Sequence, residues 1–278
     1  MGRPATDADI LLPFEAETLK GDFREFFRVK RGNFLASIQG LPGFWAAFQR
    51  LDDIWMREEE DLQVVTEIKQ LVPRLLFIHA LLKFRIAREL AFSRCMAEAW
   101  GVLRVGIESV AFASKIYREP QMAQVWTSKD DGKAERRAFK EAFEDRKEAL
   151  LFSGSPALVE LYHHWQLSSD YGSHTSVSSI GTRFRQAETK ETIDWHLEFF
   201  EADETRSVTS LYSLLDAAYH MERVFHDVFK TRLDLDPTLV RMRREFLREH
   251  KKLARAILAK YGTEIIAQLR TGEQSSNG

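Results

Sequence analysis

Residues Glu89 to Tyr117 read ELAFSRCMAEAWGVLRVGIESVAFASKIY, with apolar side chains recurring mainly three and four positions apart. That spacing returns them to one side of a helix with 3.6 residues per turn, so a long amphipathic helix is predicted. The same period runs upstream through FWAAFQRLDDIW from Phe44 and VVTEIKQLVPRLLFIHALL from Val64. Pro73 is expected to kink or divide the second of these, because its ring removes a backbone donor and crowds the preceding turn. Gly101 and Gly106 each cost about 1 kcal/mol relative to alanine, and their place in a helix suggests close packing of a neighbour. Pro120 marks the end of the segment. The reading is mostly α, a helical bundle of long antiparallel helices.

One stretch departs from this pattern. From Ser155 the chain reads SPALVELYHHWQLSSDYGSHTSVSSIGTRF, where Ser155 caps a helix with Pro156 at its first position. That helix is expected to end before Gly172. Further on, Ile193, Trp195, Leu197 and Phe199 alternate with Asp194, His196 and Glu198, the period of a half-buried strand. Thr182 to Gln186 forms its expected partner across a turn over Ala187 to Glu191, giving one small β-hairpin insertion near residues 180–200. Helical spacing resumes from Asp203 to Phe229 and again after Pro237. Four parts follow: an N-terminal arm of short helices and turns over 1–42, a helical core over 43–236, basic helices packed on it over 237–273, and a disordered tail over 274–278.

Composition narrows the function classes. The chain has 278 residues, 44% hydrophobic and 29% charged, with a formal net charge of −2, so nothing global draws it to nucleic acid or anionic membrane. Its single cysteine, Cys95, excludes an internal disulfide and a cysteine-based zinc site, and fits an inert core thiol. The apolar run LVPRLLFIHALLKF from Leu71 is interrupted by Arg74, His79 and Lys83 and is short for a bilayer span. The opening MGRPATDADILLPFEAE lacks the basic start and apolar stretch of a signal peptide. A cytoplasmic protein without membrane contact is expected. No Gly-x-Ser-x-Gly elbow, Walker loop or Gly-x-Gly-x-x-Gly sequence is present.

Candidate chemistry gathers at a few places. Arg104 and Glu108 stand four apart and meet on one helix face among apolar neighbours. His163, His164, His174 and His196 fall in the atypical stretch, and His174 is the histidine best placed to work with the Arg104/Glu108 pair. Glu160 and His163 form one Glu-x-x-His unit, whereas a di-iron bundle needs two. A mononuclear metal site from His163 or His164 with Asp170 and His174 stands as the alternative to having no metal or other cofactor. The adjacent His163 and His164 otherwise divide between solvent and core. Between residues 241 and 260, Arg241, Arg243, Arg244, Arg248, Lys251, Lys252, Arg255 and Lys260 outweigh Glu245 and Glu249. This basic helix suits RNA phosphates or an acidic protein, or is a solvated face balancing the acidic run Glu58 to Asp61. Within it, Arg244 and His250 form an Arg-x5-His spacing, with histidine as proton carrier and arginine as phosphate stabiliser in RNA cleavage.

LRVGIESVAFASKIY, carrying Arg104 and Glu108, together with LYHHWQLSSDYGSH, carrying Tyr162, Ser168 and His174, resembles a bacterial helical family related to HEPN-like proteins. The resemblance covers residues 60 to 230. It implies an all-helical bundle, frequent dimerisation, and RNA binding or metal-independent RNA cleavage of the kind found among HEPN toxins and defence proteins. Arg104, Glu108 and His174 are then the site residues, with Arg244 and His250 as the alternative pair. The chain departs from HEPN ribonucleases in placing Arg-x5-His on a late basic helix, with Glu245 where a polar amide usually follows the arginine. A retained anion pocket at Arg104, Glu108 and His174, a non-enzymatic adaptor or homodimerisation module, and a metal-dependent enzyme remain the other readings.

Overall fold

In this computed structural model residue 10 and residues 12–64, 67–145, 148, 151–169, 184–188, 193–197 and 199–275 are described, with only the backbone given for 68–69, 184–188, 193–197 and 264–275. In chain order the helices begin with α1 (Pro13–Thr18), α2 (Gly21–Gly40), α3 (Pro42–Leu62), α4 (Ile68–Phe92) and α5 (Met96–Arg118). α6 (Met122–Thr127) and α7 (Lys133–Phe139) follow, the latter running into a π-helical turn at Lys140–Glu144. Then come α8 (Pro156–Ser168), strands β1 (Phe184–Glu188) and β2 (Ile193–Leu197), α9 (Glu204–Val228), α10 (Lys230–Leu233) and α11 (Pro237–Ser275). The fold is mostly α, and among the described residues no helix is long and apolar enough to cross a membrane.

The decisive segment forms the last turn of α4 and the whole of α5, whose buried side includes Ala99, Leu103, Ile107, Val110 and Ile116. The three-residue link folds α5 back along α4, and Arg94 takes φ of 63° there. Such a backbone is strained for a side chain other than glycine. Arg94 is held in it from both sides: its carbonyl accepts from Glu201 N at 2.9 Å, and its guanidinium donates to Glu201 O at 3.2 Å. Gly106 fulfils the packing expectation, since a Cβ there would lie 2.9 Å from Met221 Cε and 3.3 Å from Lys83 Cβ. α4 and α9 thus approach α5 as closely as its backbone allows. Trp55 of α3 meets Phe77 of α4 at 5.1 Å between centroids, and Phe77 meets Phe225 of α9 at 5.0 Å, which joins α3 to the same bundle.

Several expectations need correction. Pro73 neither divides nor ends its helix: α4 runs through it, and the break from α3 falls between Leu62 and Ile68. The proline stands near the start of α4, where its missing donor forfeits a single bond. The arm carries a 20-residue helix, α2, where short helices and turns were expected. Gly32 lies inside it, and Phe34 packs on Trp45 and Phe92 at 5.8 and 6.4 Å, supplying tertiary contacts that outweigh glycine's poor propensity. The basic C-terminal segment is one helix through Ser275, so Gln274 and Ser275 belong to it rather than to a tail. β1 and β2 pair antiparallel from Phe184 opposite Leu197 to Glu188 opposite Ile193. Ala187 and Glu188 therefore extend a strand where a turn was expected, and residues 189–192 lie outside the described residues.

Candidate functional site

α8 begins as its sequence demands: Ser155 Oγ accepts from Leu158 N at 3.3 Å, and Pro156 opens the first turn. Its inner face meets α5 and α9, and two successive side chains, His164 and Trp165, point into different polar settings. Trp165 Nε1 donates to Glu108 Oε1 at 3.0 Å, and the Arg104 guanidinium lies 4.6 Å above the Trp165 ring. Arg104 Nε and Glu108 Oε1 are 3.7 Å apart, both largely shielded from water. The Arg104/Glu108 helix therefore packs on the helix that leads toward His174. His174 and Asp170 themselves lie outside the described residues.

His164 turns the other way. It is buried beside Trp100 at 6.3 Å between ring centroids, and its Nε2 hydrogen bonds to Asp216 Oδ2 at 3.1 Å. Asp216 collects two more imidazoles: His220 Nε2 is 3.8 Å from the same oxygen, and His250 Nε2 is 3.2 Å from Oδ1. The last contact is an ion-pair distance without hydrogen-bond alignment. Burial opposes ionisation of Asp216, yet the imidazoles of His164 and His250 and the charge of His220 outweigh it, holding the carboxyl well below the usual carboxylate range. Burial lowers His220, with Asp216 pulling in the opposite direction. Burial beside Asp216 pushes the Tyr212 phenol up to about 12. Tyr212 stacks on His250 at 5.0 Å, and Tyr219 and Phe246 close the same ring at 5.4 and 5.7 Å. One carboxylate facing three imidazoles is an arrangement that holds or relays protons. Among the described residues the Nδ1 atoms of His164 and His220 are buried without a hydrogen-bond partner.

A second polar centre lies farther along α9. Glu222 is gripped by Arg243 through Nε–Oε1 at 2.5 Å and a second nitrogen at 3.3 Å from Oε2. His226, four residues on, contacts Glu58 Oε1 through Nδ1 at 3.4 Å and Asp234 Oδ1 through Nε2 at 2.9 Å. Burial raises the Glu58 carboxyl well above its usual range, and the neighbouring Glu222 raises it further. Glu58, expected as part of a solvated acidic run, is in fact fully buried.

The basic helix presents its charges unevenly. Arg243 points inward to Glu222, whereas Arg241, Arg244, Arg248, Lys251, Lys252 and Arg255 are exposed. Positions 241, 244, 248, 251 and 255 alternate three- and four-residue steps, which aligns them as one stripe. Lys260, also exposed, is tied to Glu204 at 3.1 Å. The alternative pair does not converge within the chain: Arg244 is exposed, while His250 is buried against Asp216. Of the metal alternative, His163 is exposed and His164 faces Asp216, while Asp170 and His174 lie outside the described residues.

Sequence reasoning passed over Asp216, His220, Glu222 and His226. The available signal was a pair of i, i+4 acid-to-histidine spacings within one amphipathic helix, at 216/220 and 222/226. Comparison with protein-family models, curated proteins and solved structures finds no match.

Proposed function

We propose that this chain is a HEPN-like RNA-binding protein that engages the phosphate backbone through the outer stripe of α11. The carrying observation is that Arg241, Arg244, Arg248, Lys251, Lys252 and Arg255 are exposed and form no ion pair among the described residues. Five of them lie along about 21 Å of helix at 1.5 Å per residue, a length over which several phosphates of a strand can be neutralised. In this reading Arg104 and Glu108, with His174, form the pocket at which an anion is held or an RNA bond is cut without metal. The two strands are the arms of one hairpin. The buried face of α11 acts separately, since His250 serves the Asp216 centre.

The test is fluorescence anisotropy with single-stranded RNA at low and moderate salt, using the wild type, the double variant Arg244→Glu/Arg248→Glu, and His174→Ala. Binding is expected in wild type and His174→Ala and is weakened at least tenfold in the double variant. Cleavage without added metal that disappears in His174→Ala extends the reading to an endoribonuclease. No RNA binding by nuclease-free protein overturns it.

The second reading is a homodimerisation module. It is favoured by Leu71, Leu75, Leu82 and Ile86, which are about half exposed on one side of α4 and spaced for helix-against-helix packing. Sedimentation of wild type and Leu75→Glu/Leu82→Glu tests it: a dimer that the double variant dissociates is expected, and a wild-type monomer dismisses it.

A further inference from the structure

We propose that Glu58, Glu222 and His226 bind one divalent transition-metal ion that pins α3 to α9 inside the bundle. One ligand atom from each of the three residues lies within 4.8 Å of the other two, and all three side chains are buried. This centre is separate from the outer stripe of α11 and from the Arg104/Glu108 pocket, so it stands independently of the RNA reading.

The hydrogen-bond accounting points to a cation. His226 Nε2 faces Asp234 Oδ1 at 2.9 Å, so its proton sits on that nitrogen and the Nδ1 lone pair faces Glu58. A carboxylate or an imidazole lone pair cannot donate to the other. Their separation, Glu58 Oε1 to His226 Nδ1, is 3.4 Å, long for a hydrogen bond. It is close to the edge of a tetrahedron whose corners lie about 2.0–2.1 Å from a central zinc ion, about 3.3 Å. Glu58 Oε2 is buried with no hydrogen-bond partner among the described residues. With Glu58 ionised, electron pairs of three side chains converge on one point, where a cation takes the place of the proton that otherwise links Glu58 to Glu222.

Charge and orientation agree. Glu58 and Glu222 face the Arg243 guanidinium and Asp234 faces His226, so the group carries two excess negative charges once Glu58 is ionised and His226 is neutral, whereas without an ion burial favours a protonated Glu58. A divalent ion balances them. Arg243 occupies one side of the Glu222 carboxylate, which retains further lone pairs for a metal. Asp234 supplies the carboxylate that orients a metal-binding imidazole through its far nitrogen. Two carboxylates and one imidazole form a mixed oxygen and nitrogen set suited to zinc or manganese. Full burial makes the ion structural: it draws together helices from opposite ends of the chain without facing solvent.

The experiment is calorimetric titration of chelator-treated full-length protein with Zn2+ and, separately, Mn2+, with thermal unfolding read in parallel. One ion per chain and a raised melting temperature are expected in wild type and in the exposed control Glu141→Gln. Glu58→Gln and His226→Ala are expected to lose stoichiometric binding. Asp234→Asn, which alters a partly exposed orienting residue and leaves the core side chains in place, is expected to weaken affinity by about 10- to 100-fold. No saturable binding of either ion by folded wild type overturns the proposal in favour of a protonated Glu58. Binding unchanged in folded Asp234→Asn and in Glu58→Gln overturns it equally.

Discussion

His164 Nε2 stands 3.1 Å from Asp216 Oδ2 across 52 positions of sequence. The pair fixes α8 to α9, and His250 brings α11 to the same carboxylate. Replacing Asp216 by asparagine keeps the shape and removes the charge against which these rings are packed. Losing a shielded hydrogen bond to a charged group costs about 1.5–3 kcal/mol, and the retained amide oxygen keeps Asp216→Asn from the upper end. Urea denaturation at neutral pH is expected to show a loss of about 2 kcal/mol with an unchanged slope. A midpoint equal to wild type would remove Asp216 as the joint of these helices.

The same centre sets a pH dependence with two stages. His220 titrates below its ordinary value because burial disfavours its charged form. The unfolded chain then takes up its proton first, so stability is full above about pH 6.5 and declines as pH falls from there toward the folded value. Asp216 titrates below the ordinary carboxylate value, so its contribution is present above about pH 4 and disappears as pH falls through the folded value. Melting temperature against pH is expected to fall in both windows. His220→Asn should flatten the upper stage and Asp216→Asn the lower; a profile flat from pH 7 to 3 contradicts both assignments.

Gly106 is a steric prediction. An added Cβ meets Met221 Cε at 2.9 Å, which a methionine tip can yield to, but Lys83 Cβ at 3.3 Å sits next to the α4 backbone. Gly106→Ala gains about 1 kcal/mol of helix propensity against a similar packing penalty and should be nearly neutral. Gly106→Val adds two methyl groups to the same gap and should destabilise by about 3 kcal/mol in thermal or urea unfolding. Equal stability of the alanine and valine variants would mean that α4 and α5 separate freely.

These residues also show what was legible in the chain. The helical period from Glu89 to Tyr117 exposed α5, and the Ser155/Pro156 cap and the stop before Pro120 set element ends, because each depends on neighbours within a few residues. The Arg104/Glu108 pair was legible for the same reason: four positions on a helix place two side chains together. The Asp216 centre was not, because His164, Asp216 and His250 come from three helices and only their packing brings them together. The inward turn of Glu58 within the charged run EEED was hidden similarly. Its burial depends on Glu222 and His226, supplied by α9.

Glu108 provides a separable test of the contact between α5 and α8. Its Oε1 accepts from Trp165 Nε1 at 3.0 Å. Glu108→Gln preserves an accepting oxygen and is expected to keep stability within about 1 kcal/mol. Glu108→Ala removes the acceptor of a partly buried indole N–H and should cost about 1–3 kcal/mol. Comparison of the two by urea denaturation decides the matter. If both behave like wild type, the indole has found water, and the packing of α8 on α5 does not depend on this contact.

The stripe of α11 makes a prediction about salt that a merely solvated face does not. If Arg244, Arg248 and Lys251 neutralise phosphates, each releases a condensed counterion on binding, and the logarithm of affinity falls with that of salt by about 0.7 per contact on single-stranded RNA. Arg244→Gln, Arg248→Gln and Lys251→Gln should therefore each reduce the slope by about 0.7, and the triple variant by about 2. Lys260→Gln is the control, because that ammonium is already paired with Glu204. Removing it should leave the slope unchanged. Slopes measured by anisotropy over a fourfold salt range decide between the cases, and equal slopes for wild type and the triple variant would place the RNA elsewhere on the molecule.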